Sequence, residues 1–370
     1  MKLILFRDNL KNGLSIAEKA VAESANLPIL KNVLVRTVGN KIQLTTTNLE
    51  LAITKLISGK IIEEGSLSIP FSTFYSIISN TTHDRIHLEK NESNFIVKTD
   101  NYEAKIQGAP GDDFPLIPKM GNMENSMEIS PIVFQDALEQ VISAAQMSDI
   151  RPEISGILFD FQMTLLKLVA TDSFRLAEKT IPSSQFRHTF TSGFKATIPL
   201  RTAQELLRVL SRETPLSIHF DANQVLFKSD DTEIMSRLID GTYPDYEQII
   251  PRESETELVL NRSHLMNAVK LVSNFSGKTN DIRLAADLSR KTVSVYSVNQ
   301  FLGENNYLIP AKITGAEFKD IPFNWRYLLD GLKAISEENV IFRLSGTSKP
   351  ALMRPSENAS YAYIVMPIRV

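Results

Sequence analysis

The chain has 370 residues, with 40 Lys and Arg against 43 Asp and Glu, a formal net charge of −3 at pH 7 and no cysteine. This balance is unlike that of a strongly basic DNA-binding protein, and the lack of cysteine excludes disulfides and thiolate catalysis. No apolar run approaches the ~18 residues that span a bilayer, and the length predicts two or three domains.

The first third begins with an apolar strand and continues with an amphipathic helix. The segment MKLILFRDNL is predicted to be a strand rather than a signal peptide, because acidic Asp8 follows only a few apolar residues. A second helix is predicted after Ile69-Pro70, because proline is well placed at a helix start. The segment GDDFPLIP at 111–118 is a predicted linker. The apolar face of the first helix comprises Leu10, Leu14, Ala17 and Val21.

The same order of features recurs in the middle and last thirds. Second helices are predicted after Ile198-Pro199 and Ile321-Pro322. The strand end TTNLELA at 46–52 returns as ATDSFRLA at 170–177, and GTYPDYEQIIP at 241–251 repeats the linker. The pattern predicts three related α+β modules. The apolar faces of the first helices comprise Phe134, Ala137, Leu138, Val141 and Ala145 in the middle third, and Leu265, Ala268, Val269 and Val272 in the last.

Motifs for catalysis or metal binding fail on inspection. SGKT at 276–279 lacks the earlier glycine of a phosphate-binding loop, since Val272 stands in its place. His83 and His87 have a helical metal-ligand spacing, but the sequence around them alternates as in a strand. No nucleophile motif is present, so the sequence indicates a binding or assembly protein with no catalytic residues, no metal and no cofactor.

Four segments carry a resemblance to a known family. LPIL at 27–30, ATDSFRLA, DGTYPDYEQIIP at 240–251 and the terminal VMPIRV at 365–370 together resemble the bacterial sliding clamp, the β subunit of DNA polymerase III. The resemblance runs along the whole chain. It implies an α+β fold of three tandem clamp modules, each with two helices packed on antiparallel sheets, at 1–121, 122–252 and 253–370. Two subunits of this family close head to tail into a ring of six domains.

The resemblance also implies a hydrophobic groove that binds short peptides, typically a glutamine followed by leucines and an aromatic residue. Arg175 is expected to offer hydrogen bonds to the peptide, and Phe174 stands where the family commonly has histidine. Gln248 replaces a position that is often basic. The matching groove positions are Ile154, Thr171, Phe174, Arg175, Leu176, Pro244, Ile249, Met366, Pro367 and Ile368.

Basic residues on the inner helices of such a ring would face DNA. We expect few, phosphate-directed contacts, because sequence readout would hinder sliding. The family often has a basic residue just before LPIL, where this chain has Ser24, Ala25 and Asn26. Leu271 and Val272 match dimer-interface positions of the family, but they also lie on the amphipathic helix of the last third, so a core role is an equally open alternative. The DNA-facing candidates are Lys11, Lys19, Arg201, Arg208, Arg262, Lys270, Arg326 and Lys333.

The function implied by the resemblance is that of a processivity factor, a non-catalytic subunit of a DNA-directed DNA polymerase complex. Its expected partners are double-stranded DNA, a second copy of the chain, the replicative polymerase, the clamp loader, repair polymerases and mismatch-repair proteins. We expect it in the bacterial cytoplasm with the nucleoid, with no membrane contact. Two alternatives remain open, namely a non-replicative clamp-like scaffold and a metabolic α+β enzyme with pseudo-repeats.

Overall fold

A computed structural model describes residues 1–23, 26–121 and 123–369. Ser24, Ala25 and the terminal Val370, which figure in the predictions above, lie outside the described residues. The chain divides into two compact units. Unit 1 comprises residues 1–132, 186–190 and 205–238, and unit 2 comprises residues 133–185, 191–204 and 239–370. No helix in the described ranges is long and apolar enough to cross a membrane.

Two helices and a set of short strands recur in each third of the chain. The helices are α1 (Arg7–Ala17), α2 (Phe71–Asn80), α3 (Pro131–Ile142), α4 (Leu200–Val209), α5 (Arg262–Ser273) and α6 (Trp325–Ala334). The strands of the first third are β1 (Lys2–Phe6), β2 (Asn32–Val38), β3 (Lys41–Thr47), β4 (Leu51–Ile57), β5 (Lys60–Glu63), β6 (Ser66–Pro70), β7 (Arg85–Asn91), β8 (Asn94–Lys98), β9 (Glu103–Gln107) and β10 (Ala109–Pro110). Those of the middle third are β11 (Ser126–Ile129), β12 (Gly156–Phe161), β13 (Leu165–Thr171), β14 (Arg175–Pro182), β15 (Phe186–His188), β16 (Phe194–Pro199), β17 (Leu216–Phe220), β18 (Gln224–Lys228) and β19 (Thr232–Arg237). Those of the last third are β20 (Thr256–Asn261), β21 (Asp281–Asp287), β22 (Thr292–Asn299), β23 (Gly303–Gly315), β24 (Phe318–Asn324), β25 (Asn339–Leu344), β26 (Ala351–Pro355) and β27 (Tyr361–Val365).

Unit 1 is built on two antiparallel sheets. One sheet has the order β5-β1-β7-β8-β9, and the other has the order β10-β6-β2-β3-β4-β19-β18-β17-β11-β15. The second sheet joins strands of the first and middle thirds where β4 pairs with β19, with Ile53 opposite Ile234. Apolar residues of α1, α2 and both sheets form one buried cluster, in which Leu14 and Phe74 are fully buried. The predicted strand at the N-terminus is confirmed as β1.

Unit 2 is built on one sheet of the order β16-β12-β13-β14-β27-β26-β25-β20-β23-β22-β21-β24. The last strand of the chain, β27, lies inside this sheet between β14 and β26. Tyr363 and Val365 on β27 are fully buried, as is Phe159 on β12. The apolar residues of β27 are explained by this position, since the strand lies in the middle of the sheet and both of its backbone edges are paired.

The predicted helices form, but their ends differ from the prediction in two respects. Val21 and Ala145, assigned to helical faces, lie beyond the last residues of α1 and α3. Pro70 and Pro199 end strands directly before α2 and α4, and Pro322 lies within β24, so no Ile-Pro pair is the first turn of a helix. Fixed proline φ suits an extended strand end as well as a helix start, and sequence alone did not separate the two.

Candidate functional site

The segment after β27 is fixed to unit 2 on both sides. The backbone N–H of Met366 donates to the carbonyl oxygen of Phe174 at 2.9 Å, and that of Ile368 donates to the carbonyl oxygen of Pro322 at 2.8 Å. Met366 and Ile368 remain partly exposed, whereas Pro367 is buried. The end of the chain is therefore an ordered, partly apolar rim beside the turn that carries Phe174.

The turn between β13 and β14 is held by side chains acting on its own backbone. Thr171 Oγ1 donates to the carbonyl oxygen of Arg175 at 2.6 Å and accepts from the N–H of Ser173 at 3.1 Å. Asp172 Oδ1 accepts from the N–H groups of Phe174 and Arg175 at 2.9 and 3.0 Å. Ser173 adopts a φ of 77°. With its backbone held in this way, the turn presents the ring of Phe174, which is 61% exposed.

Arg175 is bound within the chain to a greater extent than expected. Its Nε donates to Asp172 Oδ2 at 2.9 Å, and its Nη1 donates to Asp330 Oδ2 at 2.6 Å. The guanidinium also lies over the ring of Tyr327, 4.3 Å from the centroid. Only 11% of the Arg175 side chain is exposed. Arg175 therefore has fewer N–H groups to offer a ligand than expected, because its Nε and Nη1 already donate to carboxylates.

An apolar cluster lies beneath this turn and draws on distant parts of the sequence. Ile154, Leu176, Tyr243 and Tyr246 pack in it with Ile364 of β27. Leu176 lies directly opposite Ile364 in the β14–β27 pair and is 2% exposed. Ile154 and Leu176 therefore form the floor of the candidate groove. The exposed residues above this floor are the ones that a ligand could contact.

The linker between the middle and last thirds forms another side of the site. Pro244 and Ile249 are exposed, and the N–H of Ile249 donates to the carbonyl oxygen of Tyr246 at 3.0 Å. Lys167 on β13 donates to Glu247 at 2.8 Å, and this hydrogen bond lowers the pKa of Glu247 below its ordinary value. The linker is thus tied to the sheet where it presents Ile249.

A cavity of about 490 Å³ borders Ile249. Gln248 also lines it, and it extends to Lys349 and Pro350. Gln248 donates to Asp245 at 2.7 Å.

The predicted groove residues thus divide by exposure. Phe174, Pro244 and Ile249 are exposed, Arg175, Met366 and Ile368 are partly buried, and Ile154, Thr171, Leu176 and Pro367 are buried. The sequence reasoning did not identify Tyr246, Tyr327 and Asp330, which order the site. Tyr246 stands inside the YPDY segment that carried the resemblance, whereas nothing in the sequence marks Asp330.

The predicted DNA-facing residues differ in what they already bind. Within the described ranges, no carboxylate lies within salt-bridge distance of Lys11, Arg201 or Lys270. Arg208 pairs with Glu205 at 2.9 Å, Lys333 with Asp330 at 3.7 Å and Lys19 with Glu18 at 3.4 Å. Arg262 donates to the backbone oxygen of Glu337 at 3.1 Å, and Arg326 lies over the ring of Trp325.

The positive charge is unevenly distributed over the helices. The residues of α2 include no Lys or Arg, and those of α3 include Asp136 and Glu139 but no basic residue. The basic residues of the six helices therefore lie on α1, α4, α5 and α6.

The two predicted dimer-interface residues have different environments. Leu271 is 54% exposed, whereas Val272 is 1% exposed and packs inside unit 2. In the chain as described Val272 is therefore a core residue of α5, as its place on the apolar face predicts, and a part for it in a dimer interface stays an untested prediction. Leu271 is close to the start of β23, since its carbonyl oxygen accepts from Asn305 at 3.2 Å. Further exposed apolar residues just before β23 are Val298, Phe301 and Leu302.

Among the described residues, no group of three or more His, Asp or Glu is arranged to hold a metal ion. His83 Nε2 contacts Asn101 Oδ1 at 2.7 Å. His87 lies on β7, as the alternating pattern predicted.

Comparison with known proteins yields one consistent family. The chain matches models of the N-terminal, central and C-terminal domains of the DNA polymerase III beta subunit over residues 1–118, 128–245 and 247–369. The beta sliding clamp of Synechococcus elongatus is 27% identical over 377 residues and covers 100% of both chains. The beta sliding clamp of Staphylococcus epidermidis is 28% identical over 386 residues, covering 100% of this chain and 99% of the relative.

Solved structures agree with the sequence relatives. The DNA polymerase III subunit beta of Pseudomonas aeruginosa superposes with a TM-score of 0.93 at 26% identity, covering 100% of both chains. The DNA polymerase sliding clamp of Bacillus subtilis superposes with a TM-score of 0.95 at 23% identity, covering 100% of this chain and 99% of the other. A sliding clamp of Pseudomonas aeruginosa bound to griselimycin also matches, with a TM-score of 0.93 at 26% identity and 100% coverage of both chains.

Proposed function

The chain belongs to the family of DNA polymerase III beta subunits, and on this premise we propose that two copies close into a ring around duplex DNA and hold the polymerase there. The chain is a sliding clamp of three tandem α+β domains, a processivity factor that is itself non-catalytic. A ring links protein and DNA by topology, so it raises the effective concentration of a bound polymerase at the primer end without sequence readout.

The observation that carries the tethering part of the proposal is the convergence of three distant segments in unit 2. The turn with Phe174, the linker with Ile249 and the tail with Met366 present apolar side chains over one buried floor. Met366 is a flexible, polarisable side chain that adapts to different ligands. The groove would accept short peptides of the replicative polymerase, and by competition those of the clamp loader, repair polymerases and mismatch-repair proteins.

Retention on DNA of different topology tests the ring. The protein is loaded with a bacterial clamp loader and ATP onto nicked circular DNA, and half of the sample is then linearised. We expect the protein to remain on circles and to leave linear DNA through its ends. Equal retention on both would mean that the protein is held by contacts, and the ring proposal would fail.

A peptide titration tests the groove. Met366→Ala should weaken binding of a fluorescent peptide with a glutamine followed by leucines and a phenylalanine, because it removes a large part of the apolar rim. Met123→Ala in unit 1 is the matched control, since Met123 is also a partly exposed methionine. Equal affinity of both variants and the parent chain would exclude Met366 from the binding site.

The DNA contacts are proposed to be electrostatic and few. Lys11, Arg201 and Lys270 are the strongest candidates, because they have no competing carboxylate in the described part of the chain. Replacing Lys270 with alanine should reduce the slope of log K against log salt by about 1 if it contacts one phosphate. An unchanged slope would place Lys270 away from DNA.

The second copy is proposed to dock on the exposed apolar residues around the C-terminal end of α5. Leu271, Val298, Phe301 and Leu302 supply this surface. Phe301→Asp should shift the sedimentation coefficient from dimer toward monomer, whereas Ile150→Asp, at another exposed apolar residue, should not. We place this assembly with the chromosomal DNA in the bacterial cytoplasm.

A further inference from the structure

We propose that Asp330 on α6 is a positioning residue of the peptide groove, acting through Arg175 and Asp172 on the turn that carries Phe174. This inference rests on the proposed peptide-binding function of that groove. Asp330 is 155 residues from Arg175 in sequence and belongs to a helix whose basic residues are assigned to DNA.

A continuous series of hydrogen bonds runs from α6 to the segment after β27. Asp330 Oδ2 accepts from Arg175 Nη1 at 2.6 Å, and Arg175 Nε donates to Asp172 Oδ2 at 2.9 Å. The other oxygen of Asp172 accepts from the N–H groups of Phe174 and Arg175. The carbonyl oxygen of Phe174 then accepts from the N–H of Met366. Two exposed or partly exposed elements of the groove, Phe174 and Met366, are thus coupled to a helix carboxylate.

A second turn with the same backbone shape shows whether the ion pair is needed for the groove turn to fold or only to position it. The turn between β3 and β4 has the same hydrogen bonds: Thr47 Oγ1 donates to the carbonyl oxygen of Leu51, and Asn48 Oδ1 accepts from the N–H groups of Glu50 and Leu51. Leu49 adopts the same φ of 77° as its counterpart in the other turn.

In that copy a neutral Asn48 and an apolar Leu51 stand where the groove turn has Asp172 and Arg175. The turn therefore forms without an ion pair. Asp330 and Arg175 are thus present only at the turn of the groove. There they fix the position of the turn relative to α6 and are not needed for its shape.

Burial makes this addition effective. Side-chain exposure is 2% for Asp172 and 29% for Asp330. Charge-assisted hydrogen bonds with this little solvent competition are short and strong. Without Asp330, the Arg175 guanidinium would keep one carboxylate partner and turn toward water beside Phe174. Because Asp172 is hydrogen-bonded to Arg175, that movement would displace Asp172 as well. The hydrogen bond between the Phe174 carbonyl oxygen and the Met366 N–H would then be weakened.

The test uses the full-length protein with two readouts. Asp330→Ala should weaken binding of the fluorescent glutamine-leucine-phenylalanine peptide about tenfold, because the loss of one charge-assisted hydrogen bond is partly transmitted to the groove. It should also speed hydrogen exchange of the Met366 amide. Asp330→Glu, which keeps the carboxylate, should restore both readouts in part. Glu257→Ala is the matched control, because Glu257 pairs with Arg343 at 2.7 Å with similar exposure.

Faster Met366 exchange together with weaker peptide binding, both rescued by glutamate, supports the inference. If Met366 exchange does not change, or changes equally in Glu257→Ala, Asp330 does not position the turn. Faster exchange with unchanged affinity would equally overturn the inference, since the positioning would then have no consequence for binding. If the parent chain binds no peptide, the proposed groove function fails, and the exchange measurement alone decides whether Asp330 holds the turn.

Discussion

Replacing Gly331 with alanine tests the packing of α6 against the last strand. Gly331 is a buried residue inside α6. A Cβ atom there would lie 2.6 Å from Tyr363 Cδ1, 2.8 Å from Tyr363 Cε1 and 2.7 Å from Met353 Cε. Both neighbours are fully buried, and Tyr363 is on β27 between β14 and β26. The ring therefore has little freedom to move away.

Two effects of opposite sign compete. Alanine is favoured over glycine in a helix interior by about 1 kcal/mol. Overpacking of a closely packed core costs about 1–3 kcal/mol. The upper end applies here, since two of the close contacts are with the ring of a central strand. We expect a net loss of about 2 kcal/mol in the free energy of unfolding, so the steric cost exceeds the helix-propensity gain.

The assay is urea unfolding followed by the fluorescence of Trp325. This residue is the single tryptophan of the sequence and the first residue of α6, so its signal reports on the helix that is perturbed. Lys333→Ala on the exposed face of the same helix is the control and should change the free energy by less than about 0.5 kcal/mol. A Gly331→Ala variant as stable as the parent chain, or more stable, would refute the reasoning.

Three further predictions concern stability. Arg283 hydrogen-bonds Asp320 and lowers its pKa below 3.8. The hydrogen bond therefore stabilises the fold fully above pH 3.8, and this contribution is lost as the pH falls through the lowered folded-state pKa. Asp320→Asn should cost under about 1 kcal/mol at pH 7 and progressively less as the pH falls below 3.8, measured by urea unfolding over a series of pH values. Asn324→Ala removes the acceptor of the Arg326 N–H at the start of α6 and should cost about 1 kcal/mol, measured by the shift in thermal midpoint. Leu176→Ala should cost about 2–5 kcal/mol in a denaturant titration, because it empties part of the buried floor.

The elements that sequence predicted well are those with a local periodic signal. The apolar stripe of α5, from Leu265 to Val272, is buried as its spacing required. The final strand was recognisable because apolar residues reached the end of the chain. The turn after Thr171 was predicted only as a strand end. Leu271 lies off this stripe and is exposed, as the same spacing implies, but the spacing does not show which surface would cover it.

The elements that sequence could not predict depend on partners far away in the chain. Pairing of β4 with β19 and of β14 with β27 joins strands of different thirds, and no local pattern specifies these neighbours. The ion pair between Arg175 and Asp330 has the same origin. Asp330 looks like an ordinary solvated helix residue in sequence, and only the placement of α6 beside the turn gives it a different environment.

The turns that follow Thr47 in unit 1 and Thr171 in unit 2 explain why a groove is expected at the second turn and not at the first. In unit 1 the backbone N–H of Arg237 donates to the carbonyl oxygen of Glu50, as Met366 donates to Phe174 in unit 2, both at 2.9 Å. The same backbone arrangement thus presents two exposed charged side chains in one unit and two apolar ones in the other. A leucine or phenylalanine of a peptide gains free energy by covering Phe174 and Met366, whereas covering Glu50 and Arg237 would cost their hydration. The shared backbone supplies the geometry of both turns, and side-chain chemistry at these two positions selects the one that binds.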